Sequence, residues 1–238
     1  QAEAFKGRMT TIGSSAGIGL VLVLIFLVLT LRPKVALWVA VGIGTAYAGA
    51  FVFLPHVGVS LNMLSTFAFL LVLGIVVDDA IVVGEGVHSE SHRLGGGVQS
   101  AVAGAQLVAK PVIFGVLTTI MAFMPWLFLS GGTSEFTRNI TWVVILALAF
   151  SLIESLWILP AHLRDLRPRD SSKLSAFGRI QKGVADSIVN FAHNHYRGIG
   201  QFAVRRRYLT LSVFIAALVV GFGMFSTGWV KKSFMPEI

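Results

Sequence analysis

An all-α, polytopic transmembrane helix bundle is the fold class that three features of the sequence predict, with six membrane-spanning helices plus one cytoplasmic interfacial amphipathic helix. The 238 residues are 55% hydrophobic and only 13% charged, about half the charge of an ordinary soluble domain, and mean hydropathy is +0.80. Apolar runs recur that are long enough to cross the roughly 30 Å hydrocarbon core as helices. No water is present at that depth to satisfy the backbone, so such runs cross as helices. Short breaks holding proline and basic residues separate the runs.

The first span covers Gly13–Leu31 and ends at Arg32-Pro33-Lys34. Proline stops that helix and opens the next. The second covers Val35–Leu54, ended by Pro55-His56. The third covers Leu61–Val87, with Ser60 as the expected N-cap. The fourth covers Leu107–Leu129, after a small-residue segment from Gly97, and the fifth Phe136–Leu159, closed by Pro160. The sixth covers Tyr208–Val230.

Between the last two spans, Ser171–Tyr196 has a different pattern. Leu174, Phe177, Ile180, Val184, Ile188 and Phe191 recur at helical spacing, while Lys173, Arg179, Lys182 and Asp186 lie elsewhere. This is an amphipathic helix suited to a membrane surface or to another cytoplasmic helix. The expected organisation is five spans in residues 1–165, a cytoplasmic loop with the amphipathic helix in 166–204, a sixth span in 205–230, and the start of a periplasmic domain in 231–238.

Charge sets the orientation. Fourteen Lys and Arg fall on the side of Arg32, Lys34, Arg93, Lys110 and the Arg164–Arg207 stretch, against five on the other. The richer side is cytoplasmic, and both ends of the chain are then periplasmic. The net charge of +8 accordingly reads as loop topology and contact with anionic lipid, with no nucleic-acid partner. Gln1 in place of Met, and KKSFMPEI after the last span, lead us to expect a piece of a longer protein. Zero cysteines exclude disulfides and thiolate metal sites. No phosphate-binding glycine loop with its lysine and no hydrolytic triad is present, so an enzyme is not expected.

Asp78 and Asp79 are adjacent carboxylates in the otherwise apolar third span. One acid at bilayer depth costs about 2.5–3.5 kcal/mol on insertion scales, so such residues are read as functional. Like charges side by side need not both be ionised. Such a pair can hold a proton and release it when its surroundings change. Gly74, four residues earlier, shares the face of Asp78 and would let another helix approach the acids. Gly42, Ala46 and Ala50 form one small-residue stripe on the second span, and Gly44 and Ala48 another.

The segment Gly74-Ile-Val-Val-Asp78-Asp79-Ala-Ile-Val-Val resembles resistance-nodulation-division (RND) efflux transporters, in the N-terminal half of their membrane domain. Supporting stretches are Leu31-Arg-Pro-Lys, Val57-Gly-Val-Ser-Leu-Asn-Met-Leu-Ser, Pro111-Val-Ile-Phe-Gly-Val-Leu-Thr-Thr and Ile158-Leu-Pro-Ala-His-Leu. The likeness covers nearly the whole chain, as family transmembrane helices 2 to 7, and is closest to the branch exporting hydrophobic and amphiphilic compounds. It implies a proton relay through Asp78 and Asp79, with protons as the coupling ion and no other cofactor. It also implies a lysine on the C-terminal half as their partner, a homotrimer with a periplasmic adaptor and an outer-membrane channel, and a place in the bacterial inner membrane. A sterol- or lipid-sensing module, which resembles the same bundle, is the alternative.

Glu85 lies seven residues after Asp78 on the same face; it either relays protons toward the cytoplasm or meets headgroups at a helix end. Glu154, inside the fifth span, is either a proton carrier or a structural hydrogen-bonding group. His88-Ser-Glu90-Ser-His92 has a zinc-compatible spacing but no evident third ligand, so a solvated helix end is expected. His193-Asn-His195 is a weaker case. Lys110 is expected to snorkel to the cytoplasmic interface, and Arg205-Arg206-Arg207 to anchor there.

Overall fold

The computed structural model describes residues 14, 17–19, 21–29, 31–132, 134–166 and 176–229, and every regular element among them is helical. A short apolar helix, α1 (Gly17–Leu29), is followed by α2 (Pro33–Phe53), α3 (Met63–Leu94), α4 (Val98–Phe123) and α5 (Ser134–Ile153). After these come α6 (Leu159–Leu163), α7 (Ala176–Phe191), α8 (Arg197–Arg205) and α9 (Arg207–Ser226). Among the described residues, five stretches are long and apolar enough to cross a membrane: Pro33–Val57, Met63–Leu94, Val98–Phe128, Ser134–Leu163 and Arg207–Ser226. The expected first span lies partly outside the described residues, as does the beginning of the amphipathic segment.

Several boundaries differ from those expected. Asn62, not Ser60, caps α3. Its Oδ1 accepts from the backbone N–H groups of Leu64 and Ser65 at 2.9 and 3.0 Å, and Asn62 N–H donates to Ser65 Oγ at 2.8 Å. This reciprocal box satisfies donors that the first turn leaves free. At its other end α3 runs on past Val87, through a segment where Arg93 Nε donates to Glu90 at 2.8 Å, and stops at Gly95 with φ 83°. Glycine supplies that left-handed conformation without strain. A helix of 32 residues is about 48 Å long, well beyond the hydrocarbon thickness of about 30 Å.

Helix α4 begins at Val98 rather than Leu107, because Ala101, Gly104 and Ala105 are small enough to be buried in its contacts. Lys110 therefore stands in the thirteenth position of a helix and not at a helix start. Reassigning it does not reverse the charge asymmetry. Helix α5 continues through a π turn, Glu154–Ile158, into α6, so the helical path extends past Pro160. The wide turn lies where proline cannot donate to the preceding turn.

The chain divides into two compact units, Gln1–Gln181 and Lys182–Ile238. In the first, α5 packs on α2, α3 and α4, with Val143, Val144, Ala147 and Leu148 fully buried. Glycines bring the backbones together. A Cβ on Gly86 would lie 2.8 Å from the Gly104 carbonyl oxygen, and one on Gly84 would lie 2.8 Å from Val35 Cγ1. Of the two small-residue stripes on α2, Gly42, Ala46 and Ala50 are buried, whereas Gly44 and Ala48 are exposed. Gln181, at the end of this unit, is buried; its Nε2 donates to the carbonyls of Val28, at 3.0 Å, and Leu31.

The second unit holds the remainder of α7, a π turn at Ala192–Tyr196, α8 and α9. Ile188 and Phe191, both from the expected apolar stripe, are exposed, and no residue of α9 is buried.

Candidate functional site

Asp78 is the sixteenth residue of α3, midway along it. Phe67, Leu71, Gly74, Asp78, Val82 and Glu85 follow one another at intervals of three or four residues and are all exposed. They form one continuous face of the helix that the other helices of the first unit leave uncovered. Asp79, one position on, is turned toward the bundle and half-buried; its Oδ2 is buried without a hydrogen-bond partner among the described residues. One carboxyl of the pair thus faces outward and the other inward.

The glycine contacts give the depth of this pair. Gly84 of α3 meets Val35 and Val39 at the start of α2, beside Arg32 and Lys34. From Gly84 back to Asp78 is six residues, about 9 Å along the helix. From Val35 forward to Gly42 is seven residues, about 10 Å in the same direction. Against Gly42 lies the carboxyl of Glu154, with the residue only 4% exposed. Asp78 and Asp79 of α3 and Glu154 of the π turn therefore occupy one layer, reached from two different helical elements.

Lys110 lies close to that layer. Gly86 meets Gly104, and Lys110 is six residues, about 9 Å, beyond that contact along α4, while Asp78 is eight residues, about 12 Å, from Gly86 in the same direction. The lysine side chain is exposed and forms no ion pair with either aspartate among the described residues. The apolar pattern hides this lysine, because it starts the fourth helix nine residues late. The small residues Ala101, Gly104 and Ala105, at helical spacing, were the available signal.

The other expected residues sit apart. A methyl group added at Gly74 would meet no atom within 4 Å, so no other helix of the first unit packs on that face. Glu85 is exposed on the stripe of Asp78, some 10 Å nearer the basic end and two turns from the end of α3. His88 and His92 contact each other edge to face, with ring centroids 4.7 Å apart. Asp78 and Glu85 are thus two acids on one exposed stripe of α3, with Asp79 turned inward beside the first.

The chain matches the AcrB/AcrD/AcrF family over residues 4–238. It is similar to multidrug resistance protein MdtC of Escherichia coli O9:H4 (strain HS), 29% identical over 206 residues, covering 83% of this chain and 19% of that protein. The MdtC proteins of Escherichia coli O157:H7 (strain EC4115 / EHEC) and O81 (strain ED1a) are each 28% identical over 206 residues, with the same coverage. The chain spans about a fifth of the length of these curated relatives.

Proposed function

The chain belongs to the AcrB/AcrD/AcrF family of RND transporters, and we propose that it is the membrane part of a proton-driven exporter of drugs or amphiphiles. Protons moving down their gradient load and unload Asp78 and Asp79. The change in charge alters which neighbours α3 can pack against, and that shift is passed to substrate-binding domains outside the membrane. The bilayer in question is the bacterial inner membrane, with both ends of the chain on the periplasmic side.

The observation that carries this reading is the uncovered face of α3. Two acids at mid-helix are tolerable at bilayer depth only if protein or water answers them. Asp78 has an open surface in front of it, which suits a partner helix with a cation. We assign that role to a lysine on a second membrane half of the transporter. The complete assembly is a homotrimer working with a periplasmic adaptor and an outer-membrane channel. The 238-residue chain by itself carries no substrate and is inactive in transport.

Asp78→Asn and Asp79→Asn test the relay in the intact transporter. Each is expected to abolish export while the protein still assembles in the membrane. Export at the wild-type rate by either variant refutes the reading. In vesicles, the 238-residue chain alone should pass no protons when a pH gradient is applied; a measurable flux would refute its inactivity.

A further inference from the structure

Glu154 is the buried acid that a relay through Asp78 and Asp79 leaves unused. It opens the π turn that joins α5 to α6, and that turn packs against both α2 and α3. Single π turns inside α-helices are rare and concentrate at functional sites. The carboxyl fills the space over Gly42, where any Cβ would collide with it. Around Gly42, the α2 residues Val39, Ile43 and Ala46 are buried and apolar. Among the described residues no side-chain hydrogen bond or ion pair reaches the Glu154 carboxyl, and one turn earlier the Ser151 hydroxyl is buried without a partner. An unpaired ionised carboxylate is strongly disfavoured in such surroundings. The packing accommodates the neutral acid; a charged Glu154 needs another arrangement of the helices.

The titratable and charged groups on the elements packed against the π turn are few. Helix α2 carries Lys34 at its start and Tyr47, whose hydroxyl donates to the Phe69 carbonyl at 2.8 Å. Helix α3 carries Asp78, Asp79, Glu85, His88, Glu90, His92 and Arg93, with Glu90 and Arg93 paired at 2.7 Å. Helix α5 carries Glu135 and Arg138 far up its first turns, and α6 carries His162, whose Nδ1 lies 2.9 Å from the Ile158 carbonyl oxygen. None of the basic groups pairs with Glu154. The acids closest to it in depth are Asp78 and Asp79.

We propose that Glu154 is a third proton-binding carboxyl in the layer of Asp78 and Asp79, enclosed by the bundle, and that it exchanges its proton when α5 shifts on Gly42. This rests on the proton-driven reading of the family but is tested without transport. Infrared spectra of the 238-residue chain in lipid, made with isotope-labelled glutamate, report protonated glutamate directly through the carboxylic acid C=O stretch. The expected result is a labelled band that moves on transfer to deuterated water, disappears as pH is raised, and is absent in Glu154→Gln. No labelled band at any pH at which the chain is folded, or a band unchanged in Glu154→Gln, overturns the proposal. So does a band that neither exchanges nor titrates, which marks a locked structural group. If Glu154→Gln fails to assemble, Glu154→Asp keeps an acid there but removes the labelled glutamate, and persistence of the labelled band in that variant overturns the proposal.

The intact transporter separates the two roles further. Glutamine keeps the shape and hydrogen-bonding capacity of Glu154 but cannot carry the proton. A proton-binding role predicts at least a tenfold loss of export in Glu154→Gln and a changed pH profile. Export and pH profile like wild type mean a structural role and overturn the proposal. Loss of transport in Asp78→Asn together with an unaffected Glu154→Gln would leave the relay reading standing and remove only this one.

Discussion

Replacing Gly104 by alanine should loosen the α3–α4 crossing, while the same change at Gly115 should not. At Gly104 a Cβ would stand 2.5 Å from Val87 Cα and 2.6 Å from both the Gly86 carbonyl oxygen and the Val87 nitrogen. All three are backbone atoms, so no side-chain rotation relieves the clash, and the two helices must separate. Overpacking of this kind costs about 1–3 kcal/mol. Gly115, on the same helix, has nothing within 4 Å of its added methyl. There alanine only gains helix propensity, about 0.8–1.0 kcal/mol in water-soluble hosts. The same gain offsets part of the clash at Gly104, so the two variants should differ by about 1–3 kcal/mol, or roughly 5- to 150-fold in the unfolding equilibrium. Reversible unfolding of the purified chain in mixed micelles measures both. Equal stabilities for Gly104→Ala and Gly115→Ala would refute the close backbone crossing, and with it the depth assigned to Lys110.

Two further variants test how the helices are held at their ends. Gln181→Leu leaves the carbonyls of Val28 and Leu31 without their side-chain donor; each buried unsatisfied group costs about 1–3 kcal/mol. Trypsin should then cut faster at Arg179 and Lys182 than in wild type, and an unchanged cleavage rate would contradict the docking of Gln181. Asn62→Ala removes the capping box of α3 at a cost of about 1 kcal/mol. Amide exchange at Leu64 and Ser65 should speed up, whereas Ser60→Ala should leave it unchanged.

Much of the fold was legible because a bilayer makes strong local demands. Apolar length alone located α2, α3, α5 and α9 to within a few residues at most ends. Proline and glycine marked their ends, although Pro111 and Pro160 both lie within continuous helical paths. Lys110 shows where such reading fails. A cation in an apolar run looks like a boundary, but the boundary of α4 is set by tertiary packing of Ala101, Gly104 and Ala105 against α3. The amphipathic stripe of α7 was visible, whereas the anchoring role of Gln181 was not, because its partners lie some 150 residues away in the chain.

The sequence by itself determined that this is a multi-span helical membrane protein, and it singled out Asp78 and Asp79, because a charge in hydrocarbon is costly wherever the helices pack. Only the tertiary structure decided that Asp78 faces outward and Asp79 inward. It alone put Glu154 at the depth of that pair and Lys110 close to it. Depth and facing depend on which glycines let which backbones touch, and those contacts join residues far apart in the chain.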